Sequence, residues 1–81
     1  MTNKKIIIDV RTTEEFEDGN VSGSINIPLH EIQGRLEELK QIQGPIILCC
    51  ASGGRSGQAT SFLKQHGLDC ENGGSWMQVS Q

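Results

Sequence analysis

Ile46-Ile47-Leu48-Cys49-Cys50-Ala51-Ser52-Gly53-Gly54-Arg55-Ser56-Gly57 is an apolar run that ends in two cysteines, followed by a loop of small residues and the start of a helix. A short, continuously apolar run is what a strand covered on both faces requires. The small residues let successive backbone N–H groups turn inward into a concave nest. The helix that follows adds its unpaired N–H groups and the positive end of its dipole at the same spot. A thiol placed there loses its proton easily, its pKa falling from about 8.5 into the range of about 3.5–7.5. The thiolate is the nucleophilic form, so this stretch predicts covalent chemistry at sulfur.

Upstream, Ile6-Ile7-Ile8 is a second continuous β-branched run, ending at Asp9-Val10-Arg11. Thr12-Thr13-Glu14-Glu15 has capping-box spacing for a short helix through Asp18, stopped by Gly19. Ser24-Ile25-Asn26-Ile27 reads as a short strand that Pro28 ends. Ile32, Leu36 and Leu39 recur at helical spacing, and Gly34 is expected to split that helix near its start. Gly44-Pro45 is a turn. Downstream, Ala59, Phe62, Leu63 and His66 trace one face of a helix that begins near Arg55 and is capped by Gly67. Leu68-Asp69-Cys70-Glu71 is expected as the next strand, and Gly73-Gly74-Ser75-Trp76 as a turn into a short terminal helical segment. Strands alternating with helices predict an α/β fold, a small parallel sheet of about four strands flanked by helices on both faces, with right-handed crossovers. Ligands of such sheets sit beyond the carboxyl ends of the strands. Asp9, Arg11, Asn26 and the cysteine loop are therefore expected to crowd one rim.

With 81 residues, 35% of them hydrophobic, and a formal net charge of −3, the chain suits one small domain over residues 1–81. Acidic and basic residues are interspersed, which excludes the basic face that nucleic-acid binding requires. No apolar run approaches the roughly 18–20 residues of a membrane span. No secretory signal precedes the first strand, so a cytoplasmic location is expected; a periplasmic one would follow from a removed signal peptide. The three cysteines, Cys49, Cys50 and Cys70, are an odd count without disulfide-framework spacing and read as reduced thiols. No CxxC pair or His/Cys cluster has metal-ligand spacing, so no metal is expected. Gly53, Gly54 and Gly57 match neither glycine-rich nucleotide motif.

Two registers of the loop compete. Counted from Cys50 the pattern is C-x-x-G-x-R-S; counted from Cys49 it is C-x5-R-S. The shorter loop makes a tight cup for a single sulfur atom. The longer one makes a wider cup for a tetrahedral phosphate or arsenate, which would point to a phosphatase or arsenate reductase using Cys49.

Four motifs, in order along nearly the whole chain, resemble the rhodanese-like sulfurtransferases, especially the small single-domain ones. Ile8-Asp9-Val10-Arg11 with Glu15-Phe16 is similar to the family's D-V-R-x3-E-F/Y signature. Gly19, Val21, Gly23 and Ile25-Asn26-Ile27-Pro28 are similar to its G-H-I-x-G-A-x-N-I-P signature, with Asn20 in place of the His and Ser24 in place of the Ala. Cys50 to Ser56 resembles its active-site loop, and Glu71-Asn72-Gly73-Gly74-Ser75-Trp76 its E-G-G-x-x-x-W segment, shortened by two residues. The chain starts almost at the D-V-R strand, so a minimal four-stranded version is expected.

The resemblance favours Cys50, because Cys49 stands where the family has a bulky strand residue. It implies a sulfurtransferase that takes sulfane sulfur from a small anionic donor such as thiosulfate or a persulfide. Cys50 would carry the sulfur as a persulfide, and a thiol or carrier-protein acceptor, or cyanide in an assay, would remove it. Ala51, Ser52, Gly53, Gly54, Arg55 and Ser56 would hold the donor, and no metal or organic cofactor is implied. Members that use thiosulfate strongly carry more positive charge in this loop, where Arg55 is the one cation. A non-catalytic rhodanese-like sulfur-carrier or binding module is the alternative outside enzyme chemistry.

Structural roles are expected for several neighbours. Arg55 either binds the donor or braces the loop through a carboxylate. Arg11 is expected to pair with Glu15, and Asp9 to accept from backbone. Cys49 and Cys70 read as packed strand residues, with a resolving thiol the lesser reading for Cys49. His30 and His66 read as structural, and Trp76 as closing the core.

Overall fold

The two isoleucine-rich runs lie side by side at the centre of the sheet in the computed structural model, which describes residues 5–79. The start at Met1 and the expected domain limits at 1 and 81 lie outside the described residues. Strands β1 (Ile6–Asp9), β2 (Ile25–Asn26), β3 (Ile46–Cys50) and β4 (Cys70–Ser75) form one sheet in the order β2-β1-β3-β4. All three pairings are parallel, with Ile7 opposite Ile47 and Asp9 opposite Cys49. Every residue of β3 is buried, as a central strand covered on both faces must be.

Strand side chains alternate between faces, and this divides the core in two. Ile8, Ile46, Leu48 and Cys50 face one way and pack with Val10, Ile27, Ile32, Leu39, Ala59 and Leu63. Ile7, Ile47 and Cys49 face the other way and pack with Val21, Trp76 and Val79. The first face is covered by α2 (Leu29–Ile32), a 3-10 turn at Gln33–Arg35, α3 (Leu36–Lys40) and α4 (Gly54–Gln65). The break at Gly34 occurs where the sequence predicts it. The connection from β1 to β2 runs across the sheet in the opposite direction from the other two. A right-handed crossover therefore carries its helix, α1 (Thr13–Glu17), to the opposite face. Gly19, just past α1, lies against the Trp76 ring of the second cluster. Helix α1 starts as expected, with Thr12 accepting from the Glu15 N–H while the Glu15 carboxylate accepts from the Thr12 N–H. Among the described residues, no helix is long and apolar enough to cross a membrane.

Five local expectations change. The strand expected over Leu68–Glu71 instead runs from Cys70 to Ser75. Leu68 is used in closing α4: its N–H bonds the Leu63 carbonyl while the Gly67 N–H bonds that of Lys64, a Schellman cap with Gly67 at φ 85°. The Gly73-Gly74 pair does not turn the chain but carries β4 across a bulge, where the pairing with β3 slips between Leu48 and Cys49. A Cβ on Gly73 would lie 2.7 Å from Ile47 Cγ2 and 3.2 Å from the Leu48 carbonyl oxygen, so only glycine lets the strands approach. The expected terminal helix is a single turn, in which Gln78 and Val79 both donate to the Ser75 carbonyl. His66 is exposed rather than on the buried face, its Nδ1 2.9 Å from the Phe62 carbonyl oxygen and its ring beside the Phe62 ring. Strand β2 is shorter than predicted, two residues, because the chain leaves the sheet for the buried Pro28.

Asp9 and Arg11 organise the carboxyl rim. Arg11 does not pair with Glu15 as expected. Its Nε lies 3.0 Å from both Asp9 carboxylate oxygens, its Nη2 donates to Oδ2 at 2.8 Å, and its backbone N–H donates to Oδ1 at 3.0 Å. Nη2 also donates to the Gly19 carbonyl at 2.6 Å. The Asn26 side-chain amide donates to the backbone carbonyls of Asp9 and Arg11, both at 3.0 Å. The guanidinium lies 4.5 Å from the Trp76 ring centroid, a cation–π contact. Asp9 is 0% and Arg11 4% exposed. Removing one partner of such a pair leaves a buried charge uncompensated. Asp9→Asn is therefore expected to destabilise the domain by about 3–5 kcal/mol, whereas Asp69→Asn, at an exposed position, should stay within about 0.5 kcal/mol. Thermal unfolding followed by circular dichroism checks both.

Candidate active site

Strand β3 delivers Cys49 and Cys50 to the carboxyl rim, and the pleat sends them to opposite faces. Cys50 is followed by a loop in which Gly53 takes φ 104°, a left-handed conformation that glycine adopts without strain. That turn folds the loop back, so Gly53 at the helix cap and Ser56 in the first turn of α4 point their N–H groups at the sulfur. Cys50 Sγ accepts from the Gly53 N–H at 3.0 Å and from the Ser56 N–H at 3.4 Å, with the Ser56 hydroxyl also at 3.4 Å. Burial alone would raise the pKa of this thiol. The Ser56 hydroxyl and the N–H groups of Ser56, Gly53 and Ser52 outweigh it and bring the thiol down to about 7.

Cys49 is the opposite case. It packs with Ile7, Val21 and Ile47, and burial, then the Asp9 carboxylate, pushes its thiol up to about 12. The same burial disfavours the thiolate that a C-x5-R cup around Cys49 would need. Cys70 is also buried, its thiol raised by burial, with Sγ 3.7 Å from the Thr60 carbonyl oxygen. All three described cysteines are free.

The rest of the loop divides. Gly53 and Ser56 face the sulfur. Ala51, Ser52 and Gly54 are exposed at the rim. Arg55 turns to α1 and braces the loop: its Nη1 and Nη2 donate to Glu15 Oε1 and Oε2 at 2.8 and 3.1 Å. The Arg55 hydrogen bond, followed by that from the Thr12 N–H, holds the Glu15 carboxyl down to about 2. His30 is exposed, its Nε2 3.7 Å from Glu31 Oε2.

The sequence from residue 1 to 77 matches the family described as Rhodanese-like domain. The chain belongs to the rhodanese-like domain family. Relatives and folds agree with that membership. The thiosulfate sulfurtransferase PspE of Escherichia coli is 33% identical over 75 residues, spanning 90% of this chain and 72% of PspE. The protein YqhL of Bacillus subtilis is 39% identical over 64 residues, spanning 79% of this chain and half of YqhL. A protein named sulfurtransferase from Allochromatium vinosum is 32% identical over 66 residues, 82% of this chain and 61% of that protein. The chain thus spans half of one of these last two and about three fifths of the other. Among solved structures, a rhodanese with anions from Escherichia coli superposes with a TM-score of 0.85 at 31% identity, covering 96% of this chain and 94% of that one.

For a rhodanese-like chain, two residues gain roles that sequence reading did not assign. Asn72, on β4, accepts the Ser56 hydroxyl at 2.6 Å and the Gly74 N–H at 3.0 Å through Oδ1, and donates to the Gly53 carbonyl at 3.1 Å. It ties the loop to the sheet edge and competes with the sulfur for the one Ser56 hydroxyl proton. Glu15, expected as a helix cap and as the partner of Arg11, instead anchors Arg55 while keeping the cap. Asn72 carried one readable signal, its place inside the Glu71–Trp76 motif. A titration of thiolate ultraviolet absorbance should show one ionisation centred at about pH 7, with the thiolate present above it and lost below it. That step should vanish in Cys50→Ser, persist in Cys49→Ser, and move to higher pH in Ser56→Ala, which removes a donor to the charged form.

Proposed function

We propose that this chain is a sulfurtransferase that carries sulfane sulfur as a persulfide on Cys50. One observation carries the reading. The Cys50 sulfur is the shared acceptor of the Gly53 and Ser56 N–H groups, and it lies at the start of a 12-residue helix. Such a cradle favours a thiolate in the resting chain and a sulfur anion after transfer. One relative, PspE of Escherichia coli, is named a thiosulfate sulfurtransferase.

The transfer runs in two displacements. In the first, the Cys50 thiolate attacks the outer sulfur of the donor. A bond forms between the two sulfurs, the donor's own bond to that sulfur breaks, and its electron pair departs with the leaving group. Thiosulfate in this step leaves as sulfite. In the second, a thiol, a carrier protein or cyanide attacks the outer sulfur of the persulfide, and the Cys50 thiolate is regenerated. Charge and electrons balance in both steps without an external oxidant. A reducing compartment such as the cytoplasm suits three free thiols.

Intact mass after incubation with thiosulfate or with cysteine persulfide tests the reading. The expected result is a gain of one sulfur atom in the wild type and in Cys49→Ser, none in Cys50→Ser, and its removal by cyanide. Absence of the adduct with both donors, or its survival in Cys50→Ser, would overturn the proposal. Stoichiometric loading without turnover in the presence of excess thiol would identify a sulfur-carrier module instead of an enzyme.

A further inference from the structure

The charges around Cys50 bear on which donor it accepts, an inference that rests on the sulfurtransfer reading. Arg55 is the one cation of the loop, and both of its terminal nitrogens are taken by Glu15. Glu15 is itself held: the Thr12 N–H and hydroxyl donate to Oε1 at 2.9 and 3.1 Å. The other arginine at this rim, Arg11, is buried against the Asp9 carboxylate. Both arginines are thus neutralised before a donor arrives. The groove beside Arg55 is lined by Val10, Thr12, Pro28, Leu29 and His30. It offers mainly apolar surface, and His30 on its edge already faces Glu31.

Donors differ in the charge they bring. Thiosulfate adds two negative charges to that of the thiolate, and sulfite carries two away. The protonated form of an organic persulfide, R–S–SH, is uncharged at the reacting sulfurs. Cys50 Sγ bonds to the outer sulfur, the S–S bond of the donor breaks, and R–S⁻ leaves with the electron pair; the proton stays on the transferred sulfur. N–H groups at a helix start suit one anionic sulfur, but a trianionic encounter needs an uncompensated cation as well. The R group also has apolar wall to lie against, which a sulfonate cannot use.

We infer that Glu15 is a specificity-determining residue of this site: by holding both terminal nitrogens of Arg55 against its carboxylate, it turns the Cys50 cradle away from dianionic thiosulfate and toward organic persulfides. Glu15 acts through Arg55 and touches no reacting atom, so it is a positioning residue.

The test compares initial rates of Cys50 loading, read by intact mass, from thiosulfate and from cysteine persulfide. The proteins are the wild type, Glu15→Gln, and the double variant Glu15→Gln with Arg55→Gln. Glutamine keeps an acceptor for the Thr12 N–H and so preserves the start of α1. The double variant has the same net charge at the pair as the wild type. In Glu15→Gln the ratio of thiosulfate to persulfide rates should rise by up to roughly fivefold, the scale of one partly exposed charge interaction. The rise should shrink at high salt and disappear in the double variant. A ratio that is unchanged or falls in Glu15→Gln, or a rise that survives loss of Arg55, would overturn the inference. Should Glu15→Gln not fold, a double variant that loads thiosulfate far more slowly than the wild type would overturn it, by showing that Arg55 already serves the dianion. A wild type that loads from persulfide while Glu15→Gln leaves the ratio flat removes only this inference. A wild type that loads from neither donor removes the sulfurtransfer reading along with it.

Discussion

The ion pair between Asp9 and Arg11 is the constraint on which the working end of the sheet depends. A carboxylate and a guanidinium out of water are stable only when each satisfies the other and their remaining hydrogen-bonding groups find partners. Here they do. The side chain of Asp9 is saturated by three groups of Arg11, and the second Nη2 hydrogen goes to the Gly19 carbonyl at the exit of α1. The carbonyls of the same two residues receive the Asn26 amide of β2, and the guanidinium supports Trp76 from the end of β4. One pair therefore sets where a helix, an edge strand and the terminal turn meet. Val10, between the two charges, donates to the Cys49 carbonyl, which fixes the strand end from which the Cys50 loop departs.

The elements that were legible in the sequence are those whose signals are local. Ile6–Ile8 and Ile46–Leu48 are short, β-branched or apolar runs bounded by polar residues or a Gly-Pro turn, the pattern of buried strands. Thr12 with Glu15 could be read as a cap because both partners lie within one turn. Gly34 marked a helix break by propensity alone. Strand β4 was misplaced because two of its signals are tertiary. Leu68 looks like a strand residue until the α4 cap claims its N–H. Gly73 looks like a turn residue until the closeness of Ile47 shows why no side chain fits there. Spacing did not reveal either fact.

The site divides along the same line. The choice between Cys49 and Cys50 was open on loop length, and the family resemblance leaned toward Cys50. The pleat separates their surroundings, since neighbouring residues of a strand cannot share a face. One thiol meets helix N–H groups, and the other meets apolar side chains and a carboxylate. Asn72 and Glu15 escaped because their partners are distant in the chain, 16 residues from Asn72 to Ser56 and 40 from Glu15 to Arg55. Glu15 also had a sufficient local explanation in the Thr12 cap, and a satisfied residue invites no further search. The same carboxylate serves both bonds.

The two-residue length of β2 has a consequence for the chain in company. Ile6–Asp9 and Ile46–Cys50 combine β-branched or apolar side chains with little charge, the composition that drives cross-β association when such segments meet their copies. Both are interior strands, paired on each side. Among the described residues, the sheet borders are β2, too short to template a partner, and β4, which presents Glu71, Asn72 and a glycine bulge. Short, charged or kinked borders are what keep folded sheets from growing by recruiting neighbours. The folded domain thus shields its two most aggregation-prone segments, and intermolecular pairing has to wait for unfolding.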